Sequence, residues 1–184
     1  FNASLAPNSS NLQLWEFIHI SDKKILEKLS KACFNQNAAK TANQLVVIVV
    51  RKDLWKKRAQ WNIDLIKNQS KNNESSQKRL KQAHAYYGKI IPILYSDFFG
   101  IFGIIKSIIF QTIGLFRPTI RQVTSSDTRI VAHKTAGLAA QNFMLSMSGI
   151  GYDTCPMEGS DTLKVKNILN LPYKSEINMV IGCG

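Results

Sequence analysis

Cysteine is scarce in this chain of 184 residues, and acidic side chains are half as frequent as basic ones. The three cysteines, Cys33, Cys155 and Cys183, form no Cys-x-x-Cys pair and no cluster with histidine at metal-ligand spacing. This pattern argues against a disulfide-stapled scaffold and against a zinc site, so we predict no metal centre. Reduced thiols are the default for such a chain, and we expect a cytoplasmic protein.

The shortage of acidic residues leaves a large positive charge. Only 12 Asp and Glu accompany 24 Lys and Arg, which gives a formal charge of +12. Such a surplus suits nucleic acid, an anionic membrane surface or a phosphate-bearing ligand, or it serves solubility alone. A basic cluster over 51–58 contains Trp55, with Trp61 just beyond, and basic residues mixed with aromatics can bind single-stranded nucleic acid. No RNA-binding signature accompanies it, so we expect a solvated helix face with inward-turned tryptophans and no nucleic-acid partner.

No internal repeat or low-complexity segment is present, and the composition is that of an ordinary globular protein. Hydrophobic residues make up 45% and charged residues 20% of the chain. This length supports one domain with a substantial core. The chain begins at Phe1 and ends directly after a strand-like run. We therefore expect a single domain over 1–184, truncated at both ends, with a basic and apolar helical insertion at about 51–126.

Hydrophobic periodicity predicts an α+β fold with few strands. Short strands are predicted at 15–20 and 177–182, and the β-branched run over 44–50 is typical of a central strand covered on both faces. A long helix is predicted from Asp127 to about Ser148, and it is apolar nearly all round. A helix with that pattern is buried on most sides, which suggests a core helix shared with a partner subunit.

The stretch from Phe98 to Phe116 is almost entirely apolar and approaches the length of a membrane span. Polar residues near its middle, Lys106 among them, raise the cost of membrane insertion. We interpret it as a buried or interfacial helix and as a candidate lid over a pocket. Membrane association stays an alternative that we do not favour.

Three segments together resemble the nitroreductase family. The first is Ala-Pro-Asn-Ser-Ser-Asn-Leu-Gln-Leu-Trp-Glu-Phe over 6–17, which resembles a family loop leading into a strand. The second is Ala-Cys-Phe-Asn-Gln over 32–36, at the end of a helix. The third is the long helix followed by Gly-Ile-Gly-Tyr-Asp-Thr-Cys-Pro-Met-Glu-Gly-Ser-Asp over 149–161. The resemblance covers most of the chain, whereas 51–126 matches poorly and is variable in the family.

The resemblance implies a nitroreductase-like fold, with a mostly antiparallel sheet flanked by helices, in an intertwined homodimer. It also implies FMN at the subunit interface and NADH or NADPH as co-substrate. A hydride would pass through flavin N5 to a small-molecule acceptor such as a nitroaromatic, a quinone or an enone. The flavin carries this chemistry, so no catalytic side chain is expected. His133 is then an interface or surface residue rather than a catalytic acid.

The resemblance also places the cofactor-binding residues. Those of the first segment would reach the FMN of the opposite subunit: Pro7, Asn8, Ser9 and Asn11. Asn35 would face the pyrimidine edge of the flavin, and an amide can match imide N–H and C=O groups. The Pro156–Gly159 turn, comprising Pro156, Met157, Glu158 and Gly159, would pack on one flavin face, with a backbone N–H near flavin N5.

Each of these segments also has a purely structural interpretation. The first is then a Pro-Asn turn, Asn35 is a helix C-cap, and 156–159 is a connecting turn before a helix capped by Ser160.

The sequence also departs from the family. Asn8 and Leu14 stand where Ser and Pro are usual, and the N-terminal Arg-x-Ser-x-Arg segment that grips the flavin phosphate is absent. The alternatives are a non-catalytic flavin-binding or sensing member of the same fold, and a basic membrane-associated binding protein.

Overall fold

A computed structural model describes residues 1–70, 74–96 and 101–184 of the chain. They form two compact units. The first, which we call the sheet unit, comprises Phe1–Asp53 and Ala132–Gly184, and the second, the helical unit, comprises Leu54–Val131.

An antiparallel sheet organises the sheet unit. Its strands are β1 (Trp15–Ile20), β2 (Gln44–Val50), β3 (Thr154–Met157) and β4 (Glu176–Cys183), in the order β1-β2-β4-β3. Six consecutive residues of β2 are buried, as expected for a β-branched central strand. The α+β prediction is therefore confirmed. The edge strand β3 was missed, because its Pro156 and Met157 were expected in a turn. Proline is tolerated there, because an edge strand leaves backbone N–H groups without ladder partners.

Helices cover both faces of this sheet. One face packs against α1 (Lys23–Ala32), α2 (Asn37–Thr41) and α8 (Thr162–Ile168), through Leu29, Val47 and Val165 among others. The other face packs against α7 (Ser125–Ser148), through alanines that include Ala136 and Ala140. These small side chains share one core cluster with Ile48 of β2 and Ile181 of β4. The buried apolar surface on both faces is the dominant stabilising contribution to this unit.

The helical unit contains the remaining helices. They are α3 (Trp55–Gln69), α4 (Glu74–Ala85), a π-helical turn (Tyr86–Ile90), α5 (Ile91–Tyr95) and α6 (Ile101–Phe116). The Trp55 ring lies 5.9 Å from the ring of Tyr95. Trp61 is 47% exposed, so the expectation that the tryptophans of this basic stretch turn inward is wrong for Trp61.

Helix α6 confirms the helical part of the prediction for 98–116; residues 98–100 lie outside the described part of the chain. Of the two alternatives for this helix, buried or interfacial, the buried one is wrong, and the interfacial one stays a prediction. Only Gly103 is buried in it, and large apolar side chains such as Ile104, Ile108 and Phe116 are exposed. Among the described helices, none combines the length and apolar character needed to cross a membrane.

Helix α7 ends at Ser148 as predicted, and it begins at Ser125, two residues before Asp127. Thr124 and Asp127 form a reciprocal cap. The Thr124 N–H donates to Asp127 Oδ2 at 3.0 Å, and the Asp127 N–H donates to Thr124 Oγ1 at 3.1 Å. This is the hydrogen-bond pattern of a capping box.

Candidate functional site

The C-terminal end of α1 presents Asn35 to solvent. Phe34 and Asn35 both adopt left-handed backbone, with φ of 56° and 54°. The Asn35 N–H donates to the carbonyl of Ser30 at 2.9 Å, which is how a helix C-terminus satisfies its last carbonyls. Asn35 thus occupies a helix-capping position through its backbone. Its side-chain amide makes no hydrogen bond to the described part of the chain and is available to a ligand.

Two hydrogen bonds attach the segment after β3 to this helix end. In the first, Gln36 Nε2 donates to the Gly159 carbonyl at 2.7 Å. In the second, the Asp161 N–H donates to the Ala32 carbonyl at 2.8 Å. Gln36 Nε2 also donates to the Cys33 carbonyl at 3.0 Å, within the helix end itself. The structure therefore brings two of the three family-like segments together within one chain, and the contact is made by Gln36, the residue that follows Asn35.

The residues of this second segment face different environments. Met157 is only 3% exposed and packs in the core between the sheet and α1, so only its backbone is available to a ligand. Pro156, Glu158 and Gly159 are exposed. A Cβ added at Gly159 would meet only Gln36 Nε2, at an ordinary contact distance of 3.6 Å. Packing within the described residues therefore does not require glycine here.

Ser160 does not cap α8 as the structural interpretation of this segment supposed. Asp161 is the cap, and its Oδ1 accepts the Lys164 N–H at 3.1 Å. This contact lowers the pKa of Asp161. Ser160 Oγ is buried and has no hydrogen-bond partner among the described residues. A buried hydroxyl without a partner is unfavourable, so Ser160 is an exception, next to Gly159 in the chain, to the usual pairing of buried polar groups.

The first family-like segment forms a tightly wound loop before β1. Asn8 Oδ1 accepts the Gln13 N–H at 2.9 Å, and a short 3₁₀ turn covers Ser9–Asn11. Ser10, Asn11 and Gln13 have positive φ values of 56°, 50° and 47°. Residues other than glycine hold such backbone only where surrounding structure enforces it, and such positions are common at functional sites.

Arg51 anchors the end of this loop. Its N–H donates to the Leu14 carbonyl at 3.0 Å. Its guanidinium lies 2.7 Å from Glu16 Oε2 and 2.9 Å from Asp53 Oδ2, with only 13% of the side chain exposed. The hydrogen bond to Asp53 is the main reason that the pKa of Arg51 is raised. The paired charges hold β1 and β2 together at the point where the loop enters the sheet.

The loop and the Pro156–Gly159 segment lie at opposite edges of the sheet. The loop leads into edge strand β1, whereas Pro156 and Met157 belong to edge strand β3, and two strands lie between them. Three inter-strand spacings of about 4.8 Å separate the two edges by about 14 Å. Both segments lie towards the end of the sheet at which β4 begins with Glu176. Trp15, the first residue of β1, lies at that end. Strand β3 runs towards the same end, so the segment that follows it continues in that direction.

His133 links α7 to β4. Its Nε2 lies 3.1 Å from Glu176 Oε2, and its Nδ1 lies 3.1 Å from Asn178 Nδ2. Because the Asn178 amide donates to Nδ1, the ring proton belongs on Nε2 and is donated to Glu176. Asn178 is the extra residue at an irregularity in the pairing of β2 with β4. His133 thus has a structural role inside the sheet unit.

Sequence reasoning did not identify Gln36 and Ser160 as residues of this site. The Gln36–Gly159 bond has no local sequence signal, because it joins residues 123 positions apart. The burial of the Ser160 hydroxyl depends on the fold and has no local signal either. Burial raises the pKa of the Cys33 thiol, so this neighbouring cysteine is a packing residue and not a nucleophile.

Comparison with known proteins agrees with this architecture. The model of the nitroreductase family matches residues 2–184. MhqN of Bacillus subtilis, provisionally named an NAD(P)H nitroreductase, is 25% identical over 182 residues, which cover 98% of this chain and 72% of MhqN.

Solved structures have the same fold. The B. subtilis protein ydfN, provisionally named a nitroreductase, superposes with a TM-score of 0.70 at 23% identity, covering all of this chain and 72% of ydfN. A protein from Exiguobacterium sibiricum, provisionally named a nitroreductase and crystallised in complex with FMN, superposes with a TM-score of 0.61 at 19% identity, again covering all of this chain and 72% of the other. The chain belongs to the nitroreductase family, and its fold is that of the nitroreductase oxidoreductases.

Proposed function

We propose that this protein is an FMN-dependent oxidoreductase that uses NADH or NADPH to reduce a nitroaromatic, quinone or similar acceptor. The observation that carries the proposal is the Gln36–Gly159 hydrogen bond of 2.7 Å. It joins Gln36, the residue that follows the unpaired side-chain amide of Asn35, to the exposed backbone at Gly159. A flavin needs this combination, because its pyrimidine edge carries both donors and acceptors and its ring requires close approach of the protein.

The chemistry of these residues fits FMN. The Asn35 amide offers both a donor and an acceptor. Gly159 leaves open the space that a side chain would occupy, although neighbouring residues do not require it to be glycine. Ser160 Oγ is a buried hydroxyl in need of a partner. Two relatives also support the proposal. The E. sibiricum protein was crystallised in complex with FMN, and MhqN is provisionally named an NAD(P)H nitroreductase.

The chemistry that bound FMN would supply is hydride transfer from NAD(P)H to the acceptor. The residues of this chain would bind and orient the cofactor. Asn35 would pair with the pyrimidine edge, and the backbone at Glu158 and Gly159 would supply fixed dipoles that tune the reduction potential of the ring. Pro156 and the backbone of Met157 would form the remaining contact with one face. No nucleophilic side chain takes part.

We propose further that the protein works as a homodimer with FMN at the subunit interface. The loop with Pro7, Asn8, Ser9 and Asn11 lies at the sheet edge opposite β3. A second copy offers a way to bring one protomer's loop to the other's Pro156–Gly159 segment. Helix α7 has a suitable surface, because its outward Leu138 and Leu145 are 46% and 61% exposed and lie two turns apart on one face.

The visible spectrum of the full-length purified protein tests the proposal. We expect flavin absorbance that bleaches when NADPH is added without oxygen and returns when a quinone is supplied. Bound flavin that NADPH fails to bleach would instead indicate a flavin-storing or sensing protein. Colourless protein that takes up no added FMN, and that co-sediments with anionic vesicles in a salt-sensitive way, would contradict flavin binding and indicate a membrane-associated binding protein.

A further inference from the structure

A basic cavity of about 460 Å³ lies in the sheet unit between α1 and α2. Three lysines line it, Lys23, Lys31 and Lys40, with Glu27 as the acidic residue among the lining side chains. Ser30 and Ala39 also line its wall. Neither the loop over 7–11 nor the Pro156–Gly159 segment contributes to the cavity, whereas Asn35 is one of its lining residues. The cavity therefore shares Asn35 with the proposed flavin site but none of the other proposed flavin-binding residues.

Helical periodicity explains why these residues meet. Lys23, Glu27, Ser30 and Lys31 follow the spacing i, i+4, i+7, i+8 and so share one face of α1. Lys40 comes from the last turn of α2 and completes the basic rim. The buried Ala39 has a small side chain, which leaves the volume between the helices open.

Ser30 provides an independent indication of a ligand. The residue is only 7% exposed, and its Oγ is buried without a hydrogen-bond partner among the described residues. Leaving a buried hydroxyl unpaired is unfavourable. Such a group on the wall of a cavity is satisfied if a ligand atom accepts a hydrogen bond from it.

The charge of the cavity defines the ligand. Three lysines against one glutamate leave a positive surplus around a hydroxyl donor, an arrangement suited to oxyanions. We propose that this cavity binds an anionic ligand of the phosphate class, with Lys23, Lys31 and Lys40 as cationic partners and Ser30 Oγ as a hydrogen-bond donor. The ligand is either a free phosphate anion or the phosphate group of a nucleotide. This inference does not rest on the proposed flavin function.

Titration calorimetry of the purified full-length protein tests the site, with inorganic pyrophosphate and ADP as separate probes. We expect both to bind, and the double variant K31Q/K40Q to weaken binding about tenfold, equivalent to about 1.4 kcal/mol. Tighter binding of ADP than of pyrophosphate identifies a nucleotide, and equal or tighter binding of pyrophosphate identifies a free anion. The control K24Q/K28Q removes the same charge from α1 at lysines that do not line the cavity, and it should bind like the wild type.

Ser30→Ala separates the local site from general electrostatics. We expect this variant to keep its melting temperature and to lose about fivefold in affinity for pyrophosphate. If K31Q/K40Q and K24Q/K28Q weaken pyrophosphate binding equally, the proposal is overturned, because the affinity then depends only on the net charge of the protein. Absence of binding at millimolar pyrophosphate would also overturn it. Flavin content is measured in the same variants. If K31Q/K40Q loses flavin and no protein binds pyrophosphate, the cavity belongs to the flavin site, and the proposal of a separate anion site is overturned.

Discussion

The side-chain amide of Gln36 donates a 2.7 Å hydrogen bond to the backbone carbonyl of Gly159, 123 residues further along the chain. The same nitrogen donates to the Cys33 carbonyl at 3.0 Å, so one side chain joins the end of α1 to the segment after β3. The relative position of Asn35 and the Glu158–Gly159 backbone depends on this contact.

Replacing Gln36 should therefore affect flavin binding more than folding. Gln36→Leu removes both hydrogen bonds, and we expect it to reduce the free energy of unfolding by about 1 kcal/mol and FMN affinity about tenfold. Fluorescence titration with FMN and thermal unfolding measure the two effects. Gln77→Leu, at an exposed position of α4, is the control. Wild-type affinity in a destabilised Gln36→Leu protein would show that the contact serves the fold alone.

Gly159 offers the sharpest separation of ligand binding from stability. Gly159→Val should keep the melting temperature close to that of the wild type, because the nearest atom to an added Cβ, Gln36 Nε2, lies at 3.6 Å. We expect FMN affinity to fall at least tenfold, since the new side chain enters the space proposed for the ring. The matched control is Gly88→Val, at a glycine where an added Cβ meets nothing within 4 Å. Full retention of flavin by Gly159→Val would place the ring elsewhere.

The exposed leucines of α7 predict the oligomeric state. Leu138→Asp with Leu145→Asp should convert a dimer into a monomer and lower FMN content, because charge is introduced into a surface that the partner is proposed to bury. Light scattering at micromolar concentration measures the mass. Leu163→Asp introduces a charge at a similarly exposed leucine, 62% accessible, on α8 and should leave the dimer intact. A monomeric wild-type protein would contradict the proposed interface.

The capping of α7 gives a pH-dependent prediction. Hydrogen bonds from Thr124 lower the pKa of Asp127 below its ordinary value of 3.8. The charged carboxylate therefore stabilises the folded state at pH values above 3.8, and this contribution is lost as the pH falls through the lowered pKa. We expect Asp127→Asn to destabilise the protein by about 0.5–1 kcal/mol at pH 7. In urea unfolding at several pH values, the difference from the wild type should shrink below pH 3.8. A difference that stays constant over this range would exclude the charge as its cause.

The Arg51 network should be important for stability. Arg51→Met leaves Glu16 and the largely buried Asp53 without their cationic partner, and we expect a loss of about 2–3 kcal/mol in unfolding free energy. Chemical denaturation measures it, with Arg79→Met at an exposed position of α4 as the control. Because the Arg51 side chain also pairs with Glu16, which follows the loop at the start of β1, Arg51→Met should in addition weaken FMN binding through that loop. Equal stability of the two variants would show that the ion pairs contribute little.

Local patterns were sufficient for much of the fold. The β-branched run over 44–50 became the central strand β2, and the apolar helix predicted to end near Ser148 ends there. Patterns failed where the deciding interaction is distant. Pro156 and Met157 join a strand only because β4 lies beside them, and α6 is exposed although its sequence resembles that of a buried helix. A one-dimensional pattern reports how apolar a segment is and does not report what covers it.

The sequence by itself determined the α+β class, the positions of the main helices and strands, and the three segments that resemble the nitroreductase family. Each of these depends on side-chain spacing within a few turns or on the local order of residues. Only the tertiary structure decided which segments meet. It joined Gln36 to Gly159, left Ser160 Oγ without a partner among the described residues, and brought Lys40 of α2 to the face of α1 that carries Ser30. Such contacts depend on how helices and strands pack against one another, which no local spacing encodes.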